Sequence, residues 1–287
     1  MKLQVRQSTQ RRFIIVGILL LESSYLVSSF ASQRVGETIQ DMSLRTKYDV
    51  WHQRIYDADP LHDDASSPWY HLVSEYLETV AGLRVLEIAC GLGGFVRQLT
   101  FAGAHVTGCD FSLTALRVAH GKLPAVEGNA SAVLIQGDAA RLPFADNSFD
   151  LVVSCETIEH VPDVEAAVQE MHRVTKSGGK LYLTTPNYLN LMGLYDLYAR
   201  VRHPTRTDDQ PFDRRQWVLQ IHKWIRQAGW TILRTDGTVH QFPILPRHNP
   251  IRWKAIESNR TVRKLLSPFA FTYFLLAQKK SLKKLEG

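Results

Sequence analysis

The chain has 287 residues, of which 45% are hydrophobic and 22% charged, with a net charge of +6, so it can bury a core of its own and disorder is excluded as its default state. Its three cysteines, Cys90, Cys109 and Cys155, fall in no CxxC or CxxH spacing, which argues against a disulfide framework or a zinc site and fits a reducing compartment. The charge is uneven. Residues 1–41 carry +2, residues 42–190 carry −7 and residues 191–287 carry +11. An acidic middle suits a cationic ligand, and a basic C-terminal part suits an acidic substrate, a nucleic acid, an anionic membrane or simply solvent.

In chain order, Lys2, Arg6, Arg11 and Arg12 precede the apolar run Phe13 to Leu21, and Ser29-Phe30-Ala31 has the form of a small-residue cleavage site, the outline of a signal segment. A span needs ~20 apolar residues, whereas Glu22 and a serine cluster interrupt this run. Residues 1–41 are therefore read as an upstream extension before a natural start at Met42, with an anchor or a cleaved export signal as the alternatives. The expected location is cytoplasmic, with membrane association as its alternative.

Helical spacing of Leu72, Val73, Tyr76, Leu77 and Val80 predicts a helix over Tyr70 to Val80. Apolar strands and helices then alternate: strand Arg84 to Ala89, helix Gly94 to Phe101, strand His105 to Cys109, helix Leu113 to His120 and strand Ala132 to Ile135. Strand Phe149 to Ser154, helix Val164 to Thr175 and strand Lys180 to Thr184 follow. Nearly all-apolar strands separated by helices predict an α/β fold with a parallel sheet covered on both faces. Beyond Pro186 helices are expected at Asn190 to Val201 and Arg214 to Ala228, then a strand Trp230 to Arg234, a proline-containing stretch Pro243 to Pro250, a helix Ile251 to Leu266 and a last strand Phe271 to Gln278.

The sharpest chemical signal is Glu87-Ile88-Ala89-Cys90-Gly91-Leu92-Gly93-Gly94, a strand entering a glycine turn ahead of a helix. Such a turn admits a ligand close to the backbone and offers helix N-terminal amides. It is not the dinucleotide fingerprint, which would place a glycine where Val96 stands. Asp110 ends the second strand about twenty residues on, where a carboxylate can accept the hydroxyls of a ribose. Asp138 follows the third strand, where it can accept a hydrogen bond from an adenine amino group. Singly, the glycines could form a plain turn and Asp110 a helix cap; it is their order that points to an adenosine pocket.

This series, from residue 84 to about 186, resembles the class I S-adenosylmethionine-dependent methyltransferases, especially the ubiquinone and menaquinone biosynthesis branch. It departs from the commonest form at Glu87, where aspartate is usual, and at Ala89-Cys90, where Gly-Cys is usual. The resemblance implies a Rossmann-like fold: a mostly parallel seven-stranded sheet with an antiparallel last strand and a small helical cap. It further implies S-adenosylmethionine as cofactor, with Glu87, Gly91 and Gly93 at its methionine part, Asp110 at the ribose, and Phe111, Asp138 and Ala139 at the adenine. The cysteines read as small buried core residues, Cys155 standing also among the cofactor-lining positions. The corresponding division is an extension over 1–41 and a methyltransferase domain over 42–287. Within the domain, 84–186 would be the cofactor core, 187–270 a cap with substrate-facing insertions and 271–279 the last strand.

Glu156, Glu159 and His160 lie i, i+3 and i+4, on one face if they share a helical turn. They are read either as ligands of a magnesium-like ion, or as pocket residues Glu156 and His160 with Glu159 in solvent. Glu156 and His160 are the candidate catalytic residues, since a largely neutral imidazole can take a proton from an acceptor hydroxyl. The expected reaction is methyl transfer to a small molecule, at oxygen. The alternatives are an RNA methyltransferase, for which no RNA-binding motif is found, a nicotinamide oxidoreductase, and a non-catalytic binding protein. The basic part is expected to form a lid. There Ile251, Trp253, Ile256, Val262, Leu265 and Leu266 alternate with Arg252, Lys254, Arg260, Arg263 and Lys264, predicting an amphipathic helix with a solvated basic face, or a peripheral membrane contact alongside the N-terminal apolar segment.

Overall fold

A computed structural model describes residues 43–60, 64–123, 130–202, 210–242, 251–252 and 254–281. The chain divides into two units, Met1–Lys47 and Tyr48–Gly287, and the architecture that follows is that of the second. The signal-like segment, the stretch Pro243 to Pro250 and Trp253 lie outside the described residues.

Two helices, α1 (Leu44–Ala58) and α2 (Pro68–Ser74), precede the sheet. Then come β1 (Arg84–Ile88), α3 (Gly94–Phe101), β2 (His105–Asp110), α4 (Leu113–Lys122), β3 (Ser131–Gln136), β4 (Phe149–Cys155), α5 (Val164–Val174) and β5 (Thr175–Pro186). The second half holds α6 (Leu191–Arg202), α7 (Val218–Gln227), β6 (Trp230–Thr238), a short hairpin of β7 (Gln241–Phe242) and β8 (Ile251–Arg252), α8 (Lys254–Ser258), α9 (Arg260–Leu265) and β9 (Thr272–Lys279). Seven strands form one sheet in the order β3-β2-β1-β4-β5-β9-β6. The last strand, β9, runs antiparallel to both its neighbours, as expected for this fold.

Alternation along each strand feeds two cores. Leu86 and Ile88 on β1, Leu181 and Leu183 on β5, and Tyr273 and Leu275 on β9 face α5 and α7. Val85, Tyr182, Phe274 and Leu276 face α2 and α3 on the other side. This is the period-2 pattern of a sheet buried on both faces. Helix α5 starts at Asp163, whose carboxylate accepts from the Ala166 amide at 3.0 Å, and buries Val164, Ala167, Val168, Met171 and Val174, the one-sided spacing of an amphipathic helix. Because the order reverses at β1, the carboxyl ends of β1, β2 and β4 open a crevice at this switch point.

Three expected elements change. The helix predicted to reach Val80 ends at Ser74, because the Tyr76 carbonyl accepts from Tyr182 Oη at 3.1 Å and its ring stacks on Phe274 at 4.7 Å. Helix α7 starts at Val218 rather than Arg214, with Arg214 N donating to the Glu159 carbonyl and Val218 N to Asn187 Oδ1 instead. The long basic helix over Ile251 to Leu266 is two short ones. They are split at Asn259, whose side chain caps α9 through the Thr261 and Val262 amides.

Candidate active site

The register of β1 on β2 pairs Glu87 with Gly108 and Ile88 with Cys109, which sets Asp110 two positions further toward the carboxyl end of the sheet than Glu87, on the neighbouring strand. Both side chains are buried. Glu87 Oε1 accepts from Tyr70 Oη at 2.9 Å. Asp110 Oδ2 accepts from the Gly91 amide at 2.9 Å and Oδ1 from the Ser112 amide at 2.8 Å. A single carboxylate thus ties the glycine turn after β1 to the start of α4. Gly93 caps α3 with φ +77°, and a Cβ there would stand 2.9 Å from Ala119 Cβ, so glycine is required both by conformation and by the close pass of α4.

Asp138 lies exposed past β3, its Oδ1 accepting from the Ala140 amide at 2.9 Å, and Ala139 packs partly buried against the core. Phe111, partly buried, meets the Tyr48 ring edge-on at 6.3 Å. Cys109 and Cys155 are buried. Burial, and then the charges of Asp110 and Asp138, push the Cys109 thiol up to about 12. Cys155 is pushed well above the ordinary thiol range by burial and then by Glu87, so both sit as neutral thiols.

At the end of β4 the chain turns sharply, with Glu156 in the left-handed region at φ +46°, and residues Ile158–His160 form a single tight turn. Glu159 is buried, correcting the reading that set it in solvent. Its Oε2 accepts from Thr185 Oγ1 at 2.8 Å, and its Oε1 lies 3.6 Å from His160 Nε2. Burial, joined by the Glu159 charge, pushes Glu156 well above the usual carboxylate range; burial also raises Glu159, with His160 drawing it partly back. His160 Nδ1 lies 2.7 Å from the Phe212 carbonyl. A carbonyl only accepts, so this nitrogen carries a proton. Tyr48 Oη donates to the same carbonyl at 3.2 Å.

Residues 86–183 match the family model of a methyltransferase domain. The demethylmenaquinone methyltransferase of Paenarthrobacter aurescens (strain TC1) is 32% identical over 200 residues, covering 64% of this chain and 74% of that protein. That of Renibacterium salmoninarum is 33% identical over 200 residues, covering 64% of this chain and 79% of that protein. The chain belongs to the class I S-adenosylmethionine-dependent methyltransferases. An S-adenosylmethionine-dependent methyltransferase of Mesorhizobium loti shares the fold, with a TM-score of 0.55 at 18% identity over 75% of this chain and 99% of that one.

The crevice of this methyltransferase fits the family's cofactor by its donor set. Each Asp110 oxygen already holds one amide and retains a second lone pair for a ribose hydroxyl, and Glu87 adds a buried carboxylate for a cationic ligand. The magnesium-like site does not form. The left-handed Glu156 breaks the helical turn that would have aligned it with Glu159 and His160. His160 Nδ1 and Glu159 Oε2 are occupied by Phe212 and Thr185. No group of three His, Cys, Asp or Glu among the described residues could hold a metal ion. No described helix is long and apolar enough to cross a membrane. Tyr48, Tyr70, Thr185 and the Phe212 carbonyl carry no motif and were not foreseen; of these only Tyr70 lay in a predicted element.

Proposed function

We propose that this methyltransferase acts on a small, apolar, hydroxylated ring compound of the quinol type, with Asp110, Glu87 and the Gly91–Gly93 turn holding S-adenosylmethionine and His160 as the base at the acceptor hydroxyl. The names of the two bacterial relatives support the acceptor class. When bound, the cofactor supplies an activated methyl group on a sulfonium sulfur. The chain's own work is to hold the acceptor in line with it at ~3 Å, worth ~7 to 11 kcal/mol of barrier, and to remove the hydroxyl proton.

The observation that carries the role of His160 is its fixed orientation: the Phe212 carbonyl holds Nδ1–H at 2.7 Å and leaves Nε2 as the nitrogen to meet the acceptor proton. Phe111, Asp138, Ala139 and Cys155 complete the cofactor pocket in this reading, and Glu156 and Glu159 line the acceptor side as buried acids. Loss of the hydroxyl proton leaves a phenolate whose charge is shared by the oxygen and the adjacent ring carbon. Oxygen, which bears the removed proton, is the expected target, and carbon is the outcome to which the relatives' names point.

Calorimetry with S-adenosylmethionine tests the pocket, and NAD binding in its stead would overturn it. Incubation with deuteromethyl-labelled cofactor and a reduced naphthoquinone, followed by mass spectrometry and NMR of the product, tests the acceptor and locates the methyl group. Cofactor binding with no transfer to any hydroxylated ring would overturn the acceptor class.

A further inference from the structure

Helix α6 is amphipathic the wrong way round for a core helix. Its only buried residue is Ala199, while Leu191, Leu194, Leu197, Tyr198 and Val201 are exposed, Leu194 at 65%, Leu197 at 62% and Val201 at 74%. At 100° per residue these five side chains span an arc of about 120°. No charged residue falls inside that arc. The helix's one acidic residue, Asp196, lies on the opposite side, where Arg200 and Arg215 hold its carboxylate.

A cation borders the arc, Arg202 beside Leu191, and the chain from residue 191 onward carries +11. Trp217, 56% exposed, stands beside the start of the helix, since the Tyr188 amide donates to the neighbouring Gln216 carbonyl at 2.9 Å. An apolar stripe with a cation on its rim and an exposed tryptophan beside its start is the pattern of a helix that lies in a bilayer interface.

We propose that α6 docks this methyltransferase on an anionic lipid bilayer, with the leucine stripe in the acyl boundary and Arg202 at the headgroups. The occupant follows from charge: a second copy of this chain would bring the same cations against its own, whereas an anionic surface neutralises them. The position suits the chemistry. The helix begins five residues after Pro186, the end of the strand that carries Thr185, the partner of Glu159, so the stripe leaves the sheet at the edge where the active-site crevice opens. An acceptor with an apolar tail would then reach the crevice from the bilayer without crossing water. That last step rests on the proposed acceptor class; the docking itself does not.

The test is co-sedimentation of the full chain with vesicles of phosphatidylcholine alone and of phosphatidylcholine with phosphatidylglycerol. The expected result is preference for the anionic vesicles, weakened by high salt, and a loss of roughly tenfold or more in the double variant Leu194→Glu, Leu197→Glu. Cofactor affinity and melting temperature stay at the native values, because both positions face solvent. If that variant misfolds by circular dichroism, Leu194→Ser with Arg202→Ser takes its place. Native protein that ignores anionic vesicles, a variant that binds them equally well, or a concentration-dependent dimer in light scattering that the variant abolishes would each overturn the proposal. A failed acceptor assay with intact vesicle binding would sink the acceptor class alone.

Discussion

Asp110 does two things with one carboxylate, and the two can be measured apart. Asp110→Ala removes the acceptor for the Gly91 and Ser112 amides and the lone pairs proposed for the ribose. Hydrogen bonds to a charged group are worth about 1.5 to 3 kcal/mol, so calorimetry should show cofactor affinity falling ~10- to 100-fold, accompanied by a lower melting temperature. An unchanged affinity would remove Asp110 from the pocket. His160→Gln should leave cofactor affinity alone and lower kcat by about 10² or more, the usual worth of a positioned base; turnover within a few-fold of native would end that role. For Glu156, burial and the neighbouring Glu159 charge raise the folded-state value above the ordinary one. The native state therefore binds more protons than the unfolded chain in that window, and its stability is full below the ordinary carboxylate value and is lost as pH rises through the raised one. Glu156→Gln removes this loss. Its melting temperature should gain on the native protein as the pH is raised from about 5 to about 8, whereas a constant gap across that range would contradict the assignment.

Among the elements, α1 shows how a helix with weak patterning is placed by distant partners. It buries only Tyr48 and His52, yet Asp49 Oδ1 accepts from Ser112 Oγ at 2.6 Å and from the Thr114 amide at 3.0 Å, while Ser112 Oγ accepts from the Ala115 amide as N-cap of α4. Burial works to raise Asp49, but these hydrogen bonds outweigh it and hold the carboxyl below its ordinary value. Ser112→Ala should cost about 1 kcal/mol, the ordinary worth of a cap, and should loosen α1 as well. Hydrogen exchange would show faster exchange in α1 than in native protein; a loss confined to α4 would mean that Asp49 anchors nothing.

Across the whole molecule, the buried guanidinium of Arg263 joins three elements that are far apart in the chain. Nη1 and Nη2 donate to the two Glu75 oxygens after α2 at 2.9 and 2.6 Å, while Nε and Nη2 donate to Asp236 on β6 at 3.1 and 2.9 Å. The expected solvated basic face thus gives one of its cations to the interior. Breaking a buried pair by removing one partner costs about 3 to 5 kcal/mol, because the remaining charge stays uncompensated. Arg263→Ala should therefore lower the melting temperature by roughly 10 °C, with cofactor affinity preserved in protein that remains folded. A shift of a degree or two in a calorimetric scan would show that Glu75 and Asp236 find other partners.

The strands, the glycine turn, Asp110 and the parallel sheet were legible in the amino-acid sequence because each is a local matter: a strand is a period of two, a turn is a glycine where φ is positive, and a carboxylate at a strand end follows from the count of residues. The tertiary structure decided what local pattern cannot carry. The sequence predicted the helix α6 but not that its leucines face outward, since an apolar arc reads the same whichever way it turns. Spacing put Glu156, Glu159 and His160 on one helical face, and only the left-handed turn at Glu156, with the Thr184 and Thr185 end of β5 beside it, shows that they do not share one. The contacts that bury Glu159, anchor Asp49 and enclose Arg263 join residues 26, 63 and 188 positions apart. No local window contains both partners, so burial and charge pairing at that range come into existence only when the chain closes on itself.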